Sequence, residues 1–136
     1  MRSCRWRNSY ICSLMLIENL YTLNSFSNEA GKAVAAITIN AGHKIFEGHF
    51  PGQPVLPGVC QLQIIKELLE RATGKKLFLS EAGNCKFLQM VNPVKSNILD
   101  ITIDYTLNDT IISVNAIIKS EEVVFLKMNG TFKIVN

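Results

Sequence analysis

His49 is the residue of this sequence that is best placed to act as a base. A turn rich in proline and glycine follows it, and Pro57-Gly58 ends that turn directly before a long apolar run. If the run is a helix, its first N–H groups have no partner inside the helix and can hold a carbonyl oxygen or a developing oxyanion. A histidine beside such a terminus predicts acid–base chemistry on a carbonyl compound.

A helix over residues 59–73 is predicted as the element that positions these groups. Apolar residues recur there at intervals of three, four and seven, which is the spacing of one broad helix face. They are Val59, Leu62, Ile64, Ile65, Leu68, Leu69 and Ala72. Gly74 follows as a C-terminal cap, and Lys75 and Lys76 suit the negative end of the helix dipole.

Segments on both sides of this helix predict antiparallel strands. Residues 20–27 and Lys32 to Asn40 form a hairpin around a turn at 28–31. Later strands are predicted over 84–91, 99–107, 111–119 and 123–135. Asn129-Gly130 predicts a bulge in the last of them. The expected fold class is therefore α+β, with one antiparallel sheet curled around a single long helix.

Composition and charge exclude several classes of function. The net charge of +3 is concentrated in the first residues, and the remainder is too evenly charged for a nucleic-acid-binding face. The four cysteines form no Cys-x-x-Cys pair and have no histidine at ligand spacing, so we expect no metal site and reduced, cytoplasmic thiols. The apolar stretch near the N-terminus is too short to span a membrane.

The length predicts one domain. We expect residues 1–15 to be a poorly ordered leader and residues 16–136 to form the domain. The hydrophobic content of 48% exceeds what a lone small domain needs to build its core, which favours a subunit interface.

A spaced pattern surrounds the histidine: Gly48-His49-Phe50-Pro51, then Pro54, then Leu56-Pro57-Gly58-Val59. This pattern resembles the 3-hydroxyacyl-[acyl-carrier-protein] dehydratases of fatty acid synthesis. The resemblance implies the hot-dog fold, in which an antiparallel sheet wraps a central helix. It also implies a dimer, because base and acid come from opposite subunits in that family. The dimer would be a homodimer or a heterodimer with a dehydratase-like subunit, and further association stays open.

The resemblance assigns roles to the matching residues. His49 would take the α-proton of the acyl thioester, and the Gly58 N–H would hold the thioester carbonyl. Val55 would lie beside the histidine, with its carbonyl orienting the ring. Two further substrate-contact candidates are Val59 and Phe50, the latter as a pocket wall or packing anchor. The acyl chain would be carried on the phosphopantetheine of acyl carrier protein, so no metal or other cofactor is needed.

The family's acid is a Glu or Asp fourteen residues after the histidine, and that position is Gln63 here. Four residues further on, where the family usually has a glutamine, stands Glu67. An amide has no proton to give at neutral pH and cannot replace a carboxylic acid. Residues i and i+4 share a helix face, so Glu67 points into the same region, one turn deeper.

Three interpretations follow. In the first, Glu67 has become the acid, and the chain dehydrates 3-hydroxyacyl groups to trans-2-enoyl products. In the second, the chain is catalytically weak and pairs with a competent dehydratase-like subunit. In the third, His49 and the oxyanion site serve acyl-thioester hydrolysis. Glu67 could instead be a surface carboxylate paired with Lys66 or Arg71.

Other residues have narrower roles. Lys66, Arg71, Lys75 and Lys76 would suit an acidic carrier protein. Cys60 lies in the first helical turn, where the dipole would lower its pKa and activate the thiol, although a packed core thiol fits as well. The other histidine, His43, lacks the motif and is interpreted as a loop residue. We expect three apolar residues either to line an acyl tunnel or to lie in the core: Phe87, Leu88 and Met90.

Overall fold

The computed structural model describes residues 20–43 and 55–135. The predicted leader, His49 and Phe50 lie outside these ranges. The elements follow the predicted order of a hairpin, a helix and four further strands. They are β1 (Tyr21–Glu29), β2 (Lys32–Ile39), α1 (Gly58–Thr73), β3 (Lys76–Phe87), β4 (Ile98–Asn108), β5 (Ile111–Ser120) and β6 (Val123–Val135).

All six strands form one antiparallel sheet in the order β1-β2-β4-β5-β6-β3. The helix α1 connects β2, near one edge of the sheet, to β3 at the other edge, so it crosses the sheet rather than lying at its edge. The fold is therefore the predicted α+β arrangement of a sheet around a central helix. Within the described residues, no helix is both long enough and apolar enough to cross a membrane.

The core lies between α1 and the concave face of the sheet. Alternation along the strands sends every second side chain inward, as in β5, where Ile112, Val114, Ala116 and Ile118 are all buried. From the helix side the core receives Cys60, Gln61, Ile64, Ile65, Leu68 and Leu69.

Two helix positions differ from the prediction. Val59 was assigned to the apolar face, yet its side chain is 72% exposed, whereas Gln61 is only 2% exposed. At 3.6 residues per turn, Val59 lies about 140° around the helix from Ile64, which is at the centre of the buried face. The burial of a polar amide beside the helix terminus was not predicted.

The strand after the helix begins earlier than the predicted 84–91. Gly74 adopts the left-handed conformation with φ 71°, as the capping prediction required, and this reverses the chain at once. The N–H of Leu77 then donates a hydrogen bond to the Glu70 side chain at 2.9 Å, and β3 runs from Lys76. Lys76 is the first residue of β3, which runs back along the helix. It therefore belongs to the strand rather than to the end of the helix.

The last strand has an irregularity, but not at the predicted position. Its pairing with β5 shifts between Ile118 and Lys119, which oppose Leu126 and Val124, so the extra residue lies in β6. The pairing of β3 with β6 shifts twice more, before and after Glu81, and there the extra residues belong to β3. Asn129-Gly130 stays in regular pairing with β5 on its other side.

Candidate functional site

The start of α1 is held in place by neighbouring backbone and by one buried amide. The N–H of Leu56 donates to the carbonyl of Val91 at 2.9 Å. The carbonyl of Leu56 accepts a hydrogen bond from Nε2 of Gln61 at 3.2 Å. Leu56 is thus fixed on both sides of its backbone, directly before Pro57 and Gly58.

This helix terminus has features that suit an incoming oxygen. Its N-cap residue, Pro57, makes no side-chain capping bond, and the first turn contains no acidic residue. Gly58 is the first residue of α1, so the helix itself offers no acceptor to its N–H. An oxygen that carries or develops negative charge would be stabilised there.

Gly58 is covered by an aromatic ring from the end of β3. A Cβ atom at this position would lie 2.7 Å from Cζ of Phe87, well inside van der Waals contact. The ring itself is 49% exposed, and Val59 beside it is largely exposed. Phe87 therefore lies over the first residue of the helix. Val55, before the helix, is half-buried.

Glu67 receives two hydrogen bonds from neutral side chains. The hydroxyl of Tyr21, in β1, donates to Glu67 Oε1 at 2.6 Å. The Nε2 of Gln63 donates to Glu67 Oε2 at 3.3 Å. Gln63 and Glu67 thus meet on one helix face, as their spacing predicts. Glu67 is half-buried, and Lys66 Nζ lies 3.8 Å from Glu70.

Tyr21 is a permanent donor in this cluster. Burial of the phenol, and then its hydrogen bond to Glu67, raise the pKa of Tyr21 far above its usual value. The hydroxyl therefore keeps its proton across the pH range in which proteins work. It can hold the carboxylate in place but is a poor source of a transferred proton.

Cys60 behaves as a core thiol. The side chain is buried among apolar residues, and this burial raises the pKa of the Cys60 thiol to about 11. The expectation that the helix dipole would lower this pKa is wrong, because loss of solvent outweighs the favourable dipole. At neutral pH the thiol is protonated, and Cys60 is a poor nucleophile.

The basic residues lie at the far end of the helix from Gly58. Arg71, Lys75 and Lys76 are exposed there, whereas Lys66 is half-buried and lies next to Glu70. A helix of sixteen residues spans about 24 Å. The terminus that could bind a carbonyl and the basic end are therefore separated by nearly the length of the helix.

Sequence reasoning missed two polar residues of this region. Tyr21 contacts Glu67 across 46 positions of chain, a pairing that no local spacing indicates. Gln61 is buried, and its Oε1 has no hydrogen-bond partner among residues 20–43 and 55–135. A polar residue inside an otherwise apolar run was the available signal for Gln61. His49 and Phe50, which the motif assigns to the same site, lie outside the described residues.

Comparisons with known proteins agree with the motif. A family profile described as ApeI-like, ApeI dehydratase, matches residues 25–125. The 3-hydroxyacyl-[acyl-carrier-protein] dehydratase FabZ of Oenococcus oeni is 33% identical over 102 residues, which is 70% of this chain and 71% of that protein. FabZ of Clostridium acetobutylicum is 37% identical over 73 residues, 48% of this chain and 52% of that protein. FabZ of Erythrobacter litoralis is 33% identical over 102 residues, 68% and 64% of the two chains. The chain thus matches about half to two thirds of the latter two relatives.

Solved structures share the fold. The structure of the dehydratase heterocomplex ApeI:P from Xenorhabdus doucetiae has a TM-score of 0.67 and 20% identity, over 85% of this chain and 97% of that one. A hypothetical thioesterase with coenzyme A from Streptococcus pneumoniae has a TM-score of 0.65 and 13% identity, over 95% of each chain. At these identities the likeness shows the hot-dog fold alone.

Proposed function

Because the chain belongs to the ApeI-like dehydratase family, we propose that it dehydrates 3-hydroxyacyl groups carried by acyl carrier protein to trans-2-enoyl products. The observation that carries the proposal is the pairing, on one helix, of an uncapped terminus at Gly58 with a carboxylate at Glu67. The first suits a thioester carbonyl, and the second can act on a hydroxyl group. His49 supplies the third requirement, a base.

The reaction divides into two bond-breaking events. His49 takes the proton from C2 of the acyl chain, and the electron pair moves toward the thioester oxygen, where the Gly58 N–H stabilises the negative charge. The C2–C3 double bond then forms as the C3–O bond breaks, and the departing oxygen takes a proton from the Glu67 carboxylic acid. Water leaves, His49 is protonated and Glu67 is ionised. Exchange of protons with solvent resets both groups.

Gln63 has a role that an amide can fill. While its Nε2 faces Glu67, its Oε1 can accept a hydrogen bond from the substrate hydroxyl. This contact would orient the C3–O bond without any proton being given by Gln63. The glutamine is thus a substrate-orienting group beside the acid.

The carrier protein and a second subunit complete the proposal. Acyl carrier protein is acidic, and the exposed Arg71, Lys75 and Lys76 offer it a basic surface, with Lys66 nearby on the same helix. Base and acid would meet across a dimer, either of two copies or with a dehydratase-like partner.

The direct test supplies the purified chain with a 3-hydroxyacyl-ACP, or with the trans-2-enoyl product, and follows their interconversion by mass spectrometry of the carrier. Interconversion in both directions is expected, because dehydration is reversible. Absence of turnover by the chain alone would overturn the proposal in this form.

Gln63 favours one second candidate, a catalytically weak subunit that works with a competent homologue. One structure with the same fold is the dehydratase heterocomplex ApeI:P from Xenorhabdus doucetiae. Turnover that appears only after co-expression with a dehydratase-like subunit would support this candidate. Release of free thiol from an acyl thioester would instead indicate hydrolysis.

Gly58→Ala is expected to lower turnover at least tenfold while the chain stays folded. The new methyl group would displace the Phe87 ring, which is half-exposed and free to move, and a displacement of about 1 Å near reacting atoms can reduce a rate up to 100-fold. The assay is kcat/KM together with the thermal midpoint. Gly83→Ala is the matched control, because a Cβ there meets only Asn129 atoms at ordinary contact distances of 3.7 and 3.8 Å. Equal activity of both variants would contradict a role for the Gly58 terminus.

A further inference from the structure

We propose that Tyr21 is a positioning residue that determines which oxygen of Glu67 carries the transferable proton. The inference rests on the proposed function, in which Glu67 is the acid. The geometry that supports it is the 2.6 Å hydrogen bond from the Tyr21 hydroxyl to Oε1, opposite the Gln63 contact at Oε2.

The position of the Tyr21 phenol is fixed by the strand that carries it. Tyr21 opens β1 and pairs with Ile39 of β2. The residue before it, Leu20, is fully buried, and its carbonyl accepts a hydrogen bond from the Asn40 N–H at 2.7 Å. A tyrosine side chain has few rotatable bonds, whereas glutamate is flexible. Contact with Tyr21 therefore restricts the Glu67 carboxyl more than the reverse.

Donation by Tyr21 makes the two oxygens of Glu67 different. A neutral carboxylic acid carries its hydrogen on one oxygen, and its other, carbonyl oxygen is the stronger acceptor. Tyr21 keeps its own proton and makes the shorter of the two contacts, 2.6 Å against 3.3 Å from Gln63, so Oε1 is the carbonyl oxygen. The acidic hydrogen of Glu67 is then on Oε2, which is the oxygen 3.3 Å from Gln63.

This arrangement compensates for the displaced acid. Glu67 lies one turn beyond the position at which the resemblance expects the acid, and that position is Gln63. With the proton on Oε2, the acid faces the Gln63 side of the cluster. Tyr21 thus directs the proton of a residue in the third turn toward the place that the family's acid would occupy.

Tyr21→Phe removes only the hydroxyl, and we expect kcat to fall about tenfold with KM unchanged, as for the loss of a hydrogen bond to a charged group. Tyr105→Phe is the matched control, because the Tyr105 hydroxyl donates a bond of the same length, 2.6 Å, to Asn28, far along the chain from Glu67. The control should keep the kcat of the parent chain. A Tyr21→Phe variant with unchanged kcat would overturn the proposal.

The decisive comparison repeats Tyr21→Phe in a Glu67→Gln background. A residue that acts through Glu67 has no further effect once the acid is absent, so the two losses should not multiply. An equal fold-loss in both backgrounds would assign Tyr21 a merely structural role. If Glu67→Gln itself keeps full activity, the acid assignment fails and this inference fails with it.

A second readout needs no turnover and separates the inference from the proposed function. In an absorbance titration of the three tyrosines, one should resist ionisation in the parent chain, and Tyr21→Phe should abolish that component. Glu67→Gln should move its midpoint to lower pH, because a carboxylate no longer opposes the phenolate. An unmoved midpoint would overturn the Tyr21–Glu67 contact, even in a chain that proves active.

Discussion

Glu67→Gln should lower kcat for dehydration of a 3-hydroxyacyl-ACP on the order of 100-fold or more, with little change in stability. The loss of a general acid typically reduces a rate by about 10²–10⁴. The amide keeps the shape of the side chain, can still accept from Tyr21 through its oxygen and can still face Gln63. What it lacks is a proton to give to the departing hydroxyl.

Glu70→Gln is the control for this change, because it removes one carboxylate from the same helix. Glu70 accepts a hydrogen bond from the Leu77 N–H, which an amide oxygen can also do, and lies 3.8 Å from Lys66. Steady-state kinetics should give a control rate within about twofold of the parent, because an amide at position 70 still accepts the Leu77 hydrogen bond and the ion pair with Lys66 is long, at 3.8 Å. Equal rates for both variants would contradict Glu67 as the acid and leave the orienting amide of Gln63 as the only group of the pair with a role.

His49→Ala is expected to remove nearly all dehydration, by about 10²–10⁴-fold in kcat/KM, because no base then takes the C2 proton. Binding of the acyl chain should persist, since the Gly58 terminus and the Phe87 ring are unchanged. The measurements are turnover of a 3-hydroxyacyl-ACP and affinity for the enoyl product by calorimetry.

The chain offers a natural control in its second histidine. His43 follows β2, and its backbone N–H donates to the Asn40 carbonyl at 3.0 Å, a bond that any side chain allows. His43→Ala should therefore keep most of the activity. A strong loss at His43 together with a small one at His49 would reverse the assignment of the base.

The local sequence pattern predicted the helix and the strands better than it predicted what they pack against. The apolar periodicity of residues 59–73 and the capping glycine were enough for the helix, whose observed span is Gly58–Thr73. The exposure of Val59 was not predicted. Its apolar side chain suggested a place in the core, but the residue lies on the side of the helix that faces away from the sheet. Chain reversal at Gly74 started β3 well before the region of strongest strand character.

The site was predictable only where its residues are neighbours in sequence. The contact of Gln63 with Glu67 follows from their spacing of one turn. The contact of Tyr21 with Glu67 depends on how β1 is placed over the helix by the whole sheet, so no motif indicates it. Among the described residues, the orphan Oε1 of buried Gln61 is likewise a product of packing, since it arises where the helix terminus meets the segment at Leu56.

The strand β3 is joined to both ends of the helix, by Phe87 over Gly58 and by Leu77 to Glu70. The sixteen residues of α1 themselves set its two ends about 24 Å apart. A substrate that contacts both the basic end of the helix and the Gly58 amide must span the length of the helix. A short free thioester can reach one end only, whereas an acyl chain presented on a long arm can engage both.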